Sequence, residues 1–292
     1  MIDVGVAKNA APCLALDIGG TKVEAAVIDS AGVVLARERL CVAEQEGGLF
    51  ESIVGLLDRV AQGKHFEFAG VGCAGPMTGA GATVSPLNIP AWRRFPLRER
   101  LEEVLGVDVH IDGDARALAL AEGVFGAAID DHSYASMVVS TGVGGGLVID
   151  GRLLDGDSGN SGHIGHLNVV PNGRLCSCGS YGCLEAEASG WAIEDMTGRP
   201  AKDADDATRL RCAEMVGRAV GTLSSVLDFN RCYIAGSVAL GYGDEFFANA
   251  NKEARSLATM HYSSDLEIRR SGLGSDGPIL GAALVGWRGA QR

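Results

Sequence analysis

A chain of 292 residues, 47% of them hydrophobic, has room for one large or two medium domains and enough apolar material for a true core. Its net charge of −12 repels phosphate backbones and anionic lipid, so no nucleic acid and no membrane is expected as a partner, and an anionic small ligand would need local donors. No apolar run reaches the ~18 residues of a membrane span, and residues 1–12 lack the apolar core of a signal peptide. Cys13, Cys41, Cys73, Cys212 and Cys232 mostly lie in apolar runs, where a reduced, buried thiol is the default, so a cytoplasmic location is expected.

Residues 13–18 (CLALDI) form an apolar strand-like run, Gly19, Gly20, Thr21 and Lys22 a tight turn, and residues 23–28 the returning strand. Successive backbone N–H groups in such a turn can form an anion-binding nest, although the spacing of a Walker loop is absent. Asp17 stands directly before the turn. A carboxylate beside a phosphate nest is costly unless a cation, typically hydrated Mg²⁺, lies between them. Residues 32–40 read as a third strand, 49–61 as a helix, and 68–73 as a buried strand ending in the turn at Gly75. Asn88 lies in a loop ahead of a helix at 97–105, as a turn-former or as a side chain aimed at a polar ligand. Strand 107–111 then gives way to an Ala- and Leu-rich helix at 115–123. Asp114 at that junction reads two ways, as a helix cap or as a general base held at the end of a rigid strand.

Residues 134–140 form a strand that runs into Thr141, Gly142 and three further glycines before a return at 147–149. This second strand–glycine turn–strand unit resembles the first, and two such halves can grip a polyphosphate from both sides. His166, Cys176, Cys178 and Cys183 follow within a short stretch. One imidazole and three thiolates make the donor set of a closed tetrahedral Zn²⁺ site, with Gly179 and Gly182 letting the backbone turn between the sulfurs. The alternative is three buried free cysteines and a surface histidine. Beyond it, helices are expected from 188 to 196, 209 to 227 and 244 to 257, strands at 232–235 and 265–269, a small-residue turn at Gly236 and Ser237, and a short final helix at 281–286.

Together these stretches resemble the ROK family, bacterial sugar kinases and related repressors on the actin-like ATPase (ribonuclease H-like) fold. DIGGTK at 17–22 and STGVGGG at 140–146 are similar to its two phosphate motifs, and the run from Gly165 to Glu185 to its zinc signature. The resemblance implies a duplicated α/β fold of two domains with a cleft between them. These would be a smaller domain at 1–112, joined by the C-terminal helix, and a larger one at 113–292 carrying the zinc knuckle. It implies Asp114 as the base for a sugar's 6-hydroxyl. Asn88, His163, His166 and Glu185 would contact the sugar, and Gly75 would line the same site. Asp17, Gly19, Gly20, Thr21, Lys22, Thr141, Gly142, Gly236 and Ser237 would hold ATP and its Mg²⁺. A homodimer is the family expectation.

Two positions depart from the family pattern. His163 stands where a glutamate is usual, and a neutral imidazole offers one acceptor where a carboxylate offers several. This GHIGH run resembles that of bacterial N-acetylmannosamine kinases. Gly113 stands where an asparagine is usual, which removes a donor and an acceptor. The expected activity is therefore ATP-dependent phosphorylation of a hexose or N-acylhexosamine, with N-acetylmannosamine ahead of glucose. A non-catalytic sugar binder is the alternative of another class. A DNA-binding repressor is not expected, because the first phosphate motif begins at Asp17 and such repressors carry a helix-turn-helix domain ahead of it.

Overall fold

The computed structural model describes residues 10–42, 48–87 and 89–291. Its contacts divide the chain into two compact units: the first comprises the chain through Phe125, Asp155–Ser161 and the chain from Ser275 on, and the second Gly126–Leu154 and Gly162–Gly274.

In the first unit, β1 (Cys13–Ile18), β2 (Lys22–Ile28), β3 (Val34–Cys41), β4 (Phe68–Cys73) and β7 (Asp108–Asp112) form one sheet in the order β3-β2-β1-β4-β7. A small hairpin, β5 (Met77–Thr78) and β6 (Thr83–Val84), stands apart from it. β1 pairs antiparallel with β2 and parallel with β4, which pairs parallel with β7. β1 and β4 are buried at every position, as their unbroken apolar runs require of central strands. α1 (Leu49–Ala61) turns Phe50, Ile53, Leu56, Leu57 and Val60 inward at helical spacing. α2 (Leu97–Leu105) ends where Gly106 takes φ 67° and returns its N–H to the Glu102 carbonyl.

α3 (Asp114–Phe125) and α9 (Gly277–Ala290) complete this unit. α9 is longer than the sequence suggests, and its backbone lies almost on the sheet: a Cβ on Gly70 would fall 2.0 Å from the Ala282 carbonyl oxygen. The boundary expected after residue 112 therefore falls after Phe125, because α3 packs with α9 and β4.

The second unit repeats the plan. β8 (Tyr134–Val139), β9 (Val143–Ile149), β10 (Arg152–Leu153), β11 (Arg231–Ala235) and β12 (Glu267–Arg270) pair in the order β10-β9-β8-β11-β12, with the same antiparallel and parallel senses. The duplication is thus one of whole sheets, of which the sequence exposes only the two glycine hairpins. Four helices, α4 (Leu184–Ala188), α5 (Gly190–Thr197), α6 (Asp206–Leu227) and α8 (Gly243–Leu257), and the single turn α7 (Ser237–Gly241) surround this sheet. The helix expected at 188–196 is α5, preceded by the separate short helix α4. Ser189 ends α4 in extended conformation, then caps α5 by accepting the Ala192 N–H at 3.0 Å. Of the thiols expected to be buried, Cys13, Cys73, Cys212 and Cys232 are, whereas Cys41 is exposed on the outermost strand β3. No helix among the described residues is long and apolar enough to cross a membrane.

Candidate active site

Asp17 near the end of β1 is in register with Gly72 on β4, which is in register with Asp112 at the end of β7. The row lies at the carboxyl ends of three parallel strands, where ligands bind in open α/β sheets. Asp114 begins α3 two residues beyond this row. Asp17 is 6% exposed. Burial, then the nearby Asp114 carboxylate, raises its pKa from 3.8 to about 7, against the opposing pull of Lys22. Burial also raises Asp114. The Asp114 carboxylate accepts the N–H of the adjacent Ala115 at 2.8 Å. An N-cap would instead accept from the second or third residue onward. Two carboxylates held above their ordinary range at one strand edge are suited to meeting a cation and taking up a proton.

The Gly19–Lys22 turn is closed by the Gly19 N–H on the Lys22 carbonyl at 3.0 Å. Lys22 does not stand clear of its strand. Its Nζ lies 3.3 Å from Glu24, a 1%-exposed carboxylate that Arg37 and Arg39 also hold. Gly75 sits in the turn that follows β4, and Asn88 lies outside the described residues.

The other predicted residues belong to the second unit. The turn after β8 carries Thr141 and Gly142, and Ser140 beside them has its Oγ 3.0 Å from the Oγ of Ser237, which follows Gly236. Gly190 and Trp191, at the start of α5, donate their N–H groups to the Ser140 and Thr141 carbonyls at 2.7 and 3.1 Å. The two expected nucleotide turns of this unit are therefore one structure, linked by hydroxyls and sealed by α5. Glu185 accepts the Val143 N–H at 3.0 Å directly beside that turn.

His163 precedes a single helical turn, Ile164–His166, and its ring centroid is 5.9 Å from that of His166. The donor atoms of His166, Cys176, Cys178 and Cys183 all lie within 4.8 Å of one another. Cys176 Sγ is 3.6 Å from His166 Nδ1, and Cys178 Sγ is 3.7 Å from Cys183 Sγ. The sulfur pair is far beyond the ~2.05 Å of a disulfide, and the spacing is that of a tetrahedron's edges around Zn–S bonds of about 2.3 Å. Burial and the adjoining thiols push Cys183 up to about 12, a cost that a dication among the sulfurs would remove. Gly182 must be glycine here, with φ 71° and the space of its Cβ taken by the Val170 carbonyl oxygen at 1.8 Å. Glu187, which the sequence does not single out, braces the knuckle from α4. It is 1% exposed, accepts the Arg174 N–H at 2.7 Å and pairs with Arg211. A glutamate inside an Ala-rich helix start was the available signal.

The repeated five-stranded sheets, with their glycine turns and strand-end aspartates, define the actin-like ATPase fold. The chain belongs to the ROK family, whose family model matches residues 13–287. It is 30% identical to a glucokinase of Halalkalibacterium halodurans, covering 93% of both chains, and 30% identical to an N-acetylmannosamine kinase of Pasteurella multocida, covering 93% of this chain and 95% of that one. Among solved structures it is similar to a ROK hexokinase from Thermus thermophilus, with 32% identity, a TM-score of 0.84, and coverage of 96% and 99%. It is also similar to a ROK family glucokinase from Streptomyces griseus in complex with glucose and AMPPNP, with 27% identity, a TM-score of 0.81, and coverage of 94% and 99%.

Proposed function

We propose that this sugar kinase transfers the γ-phosphoryl group of Mg-ATP to the 6-hydroxyl of a hexose or N-acylhexosamine, with N-acetylmannosamine the favoured acceptor. The observation that carries the reading is the pair Asp17 and Asp114 at one strand edge, both raised above the ordinary carboxylate range. Asp114 orients the attacking hydroxyl and takes its proton, for which a raised pKa is the useful one. Asp17 faces the nucleotide's counter-ion. Mg²⁺, when bound with the nucleotide, offsets the negative charge that crowds the phosphates. Gly19 spends its N–H on closing the first turn, so the backbone donors for the phosphates are those of Gly20, Thr21, Lys22, Thr141, Gly142, Gly236 and Ser237. Lys22 adds its charge only if it leaves Glu24.

The sugar contacts come from His163, His166, Glu185, Gly75 and Asn88. His166 turns Nδ1 toward the thiols, so its Nε2 is the nitrogen left for a sugar hydroxyl. Zn²⁺, when bound by His166, Cys176, Cys178 and Cys183, fixes that ring and the turn that carries it. The acceptor preference rests on His163, which offers fewer acceptors than a glutamate would for hydroxyls near C1 and C2. The competing reading is glucose, the ligand of the Streptomyces griseus neighbour.

The deciding experiment measures ADP release from Mg-ATP by zinc-replete protein with N-acetylmannosamine, glucose, N-acetylglucosamine and allose. Highest kcat/KM on N-acetylmannosamine is expected, with His163→Glu shifting the preference toward glucose. Highest kcat/KM on glucose in the unaltered protein would overturn the acceptor assignment. ADP release with none of the four would overturn the activity on these sugars.

A further inference from the structure

The segment between β10 and the Gly162–His166 turn, DGDSGNS, is short and polar, and nothing in its sequence predicts order. In the structure it is fixed at both ends. At its start, Asp155 accepts from Arg116 at 2.8 Å and, with both oxygens, from Arg288 at 2.9 and 2.8 Å. At its end, the Ser161 carbonyl accepts from Arg116 at 3.0 Å. Between them the Asn160 amide accepts the Met77 N–H at 3.0 Å and donates to the Met77 carbonyl at 2.9 Å.

Arg116 also holds Asp112 through Nε and Nη2. Its side chain is 6% exposed. One guanidinium thus joins the last residue of β7, the first turn of α3 two residues past Asp114, and both ends of loop 155–161. Every member of this cluster belongs to the first unit. The chain leaving the loop runs through Gly162 directly into His163 and His166.

We propose that Arg116 and Asp155 are positioning residues for phosphoryl transfer, which fix the loop leading into the sugar-contacting turn to the strand–helix junction that carries Asp114. The inference rests on the sugar-kinase reading above. The planar fork of arginine suits the task, because it holds several acceptors in fixed directions where an ammonium would act as a point charge. Asp112, Arg116, Asp155 and Arg288 balance in charge, each cation paired with both carboxylates. Arg116 is buried while Asp155 keeps 37% of its side chain exposed, and ion pairs of this kind are weak evidence for net stability. The loop has no apolar side chain with which to order itself, so these polar contacts are what hold it. A substrate turn displaced by about 1 Å can cost on the order of 10² in rate.

The test compares Asp155→Ala and Asp155→Glu in the full zinc-loaded chain. For Asp155→Ala, the sugar KM should rise about tenfold with a fall in kcat. The KM for ATP should stay within about twofold, zinc content should be unchanged, and amides of residues 156–163 should exchange faster. Asp155→Glu should restore most of the sugar KM, which a merely structural role does not require. Sugar KM and kcat within about twofold of the unaltered protein would overturn the proposal. So would an equal rise in both KM values without rescue by Asp155→Glu. If Asp155→Ala does not fold, Asn160→Ala unpins the same loop from Met77 without leaving a charge unpaired, and an unchanged sugar KM there overturns the proposal as well. If the unaltered protein releases no ADP with any sugar, the kinase reading fails by itself. The loop's anchoring is then judged by amide exchange, and unchanged exchange at 156–163 in Asp155→Ala overturns it.

Discussion

Asp17 and Asp114 both border Gly72: a Cβ built there would lie 3.6 Å from Asp17 Oδ1 and 3.6 Å from Asp114 Cα. The two carboxylates consequently feel one another, and with burial this raises Asp17 to about 7. A carboxylate raised on folding binds its proton more tightly in the native state than in the unfolded one. Between 3.8 and about 7, the native state therefore holds more protons, and stability falls as pH rises through that window. Asp17→Asn should stabilise the ligand-free protein at pH 8 and leave it unchanged below about pH 4, where both states hold the proton. At ~1.4 kcal/mol per tenfold change in proton affinity, the gain is at most about 4 kcal/mol. Urea unfolding at the two pH values checks it; no gain at pH 8 would mean that Asp17 is not raised.

Asp114→Asn preserves size and the bond to the Ala115 N–H but cannot take a proton. Turnover should fall by about 10²–10⁴, the usual contribution of a general base, with zinc content unchanged and, because burial raises Asp114 as well, a melting temperature at neutral pH no lower than that of the unaltered protein. Near-full activity would leave Asp114 with a purely structural role at the start of α3.

Cys178→Ala removes an exposed sulfur from the four-donor cluster. Bound zinc, counted by elemental analysis, should drop from one per chain toward none, and the sugar KM should rise, because the turn carrying His166 loses its anchor. A variant that keeps a full equivalent of zinc would remove Cys178 from the ligand set.

Trp191 is 55% exposed at the start of α5, bonded by its N–H to Thr141. Trp92 and Trp287 are 4% and 1% exposed. Emission that responds to the nucleotide should therefore come from Trp191. Mg-AMPPNP should quench it, and Trp191→Phe should abolish the response. A response that survives in Trp191→Phe would move the nucleotide away from the 140–142 turn.

What was legible in the sequence was local. The four donors at 166–183 and the glycine turns at 19–22 and 141–146 are each confined to a few residues, so ligand spacing and turn chemistry are written in the order of the letters. Asp114 was legible only as a carboxylate at a strand-to-helix junction, open to the readings of cap and base, and the family resemblance alone pointed to the base.

The sequence alone thus determined the element types, the knuckle and the two phosphate-type turns, because each depends on neighbours within about a dozen positions. Only the tertiary structure decided that α3 falls in the first unit, that Ser140 meets Ser237 across 97 positions, and that Arg288 reaches Asp155 across 133. It also decided that Lys22 turns to Glu24 and that Cys41 lies on an outer strand. The physical reason is that an ion pair or a hydroxyl contact leaves no period in the chain; its partners are chosen by which strands the sheet order brings side by side.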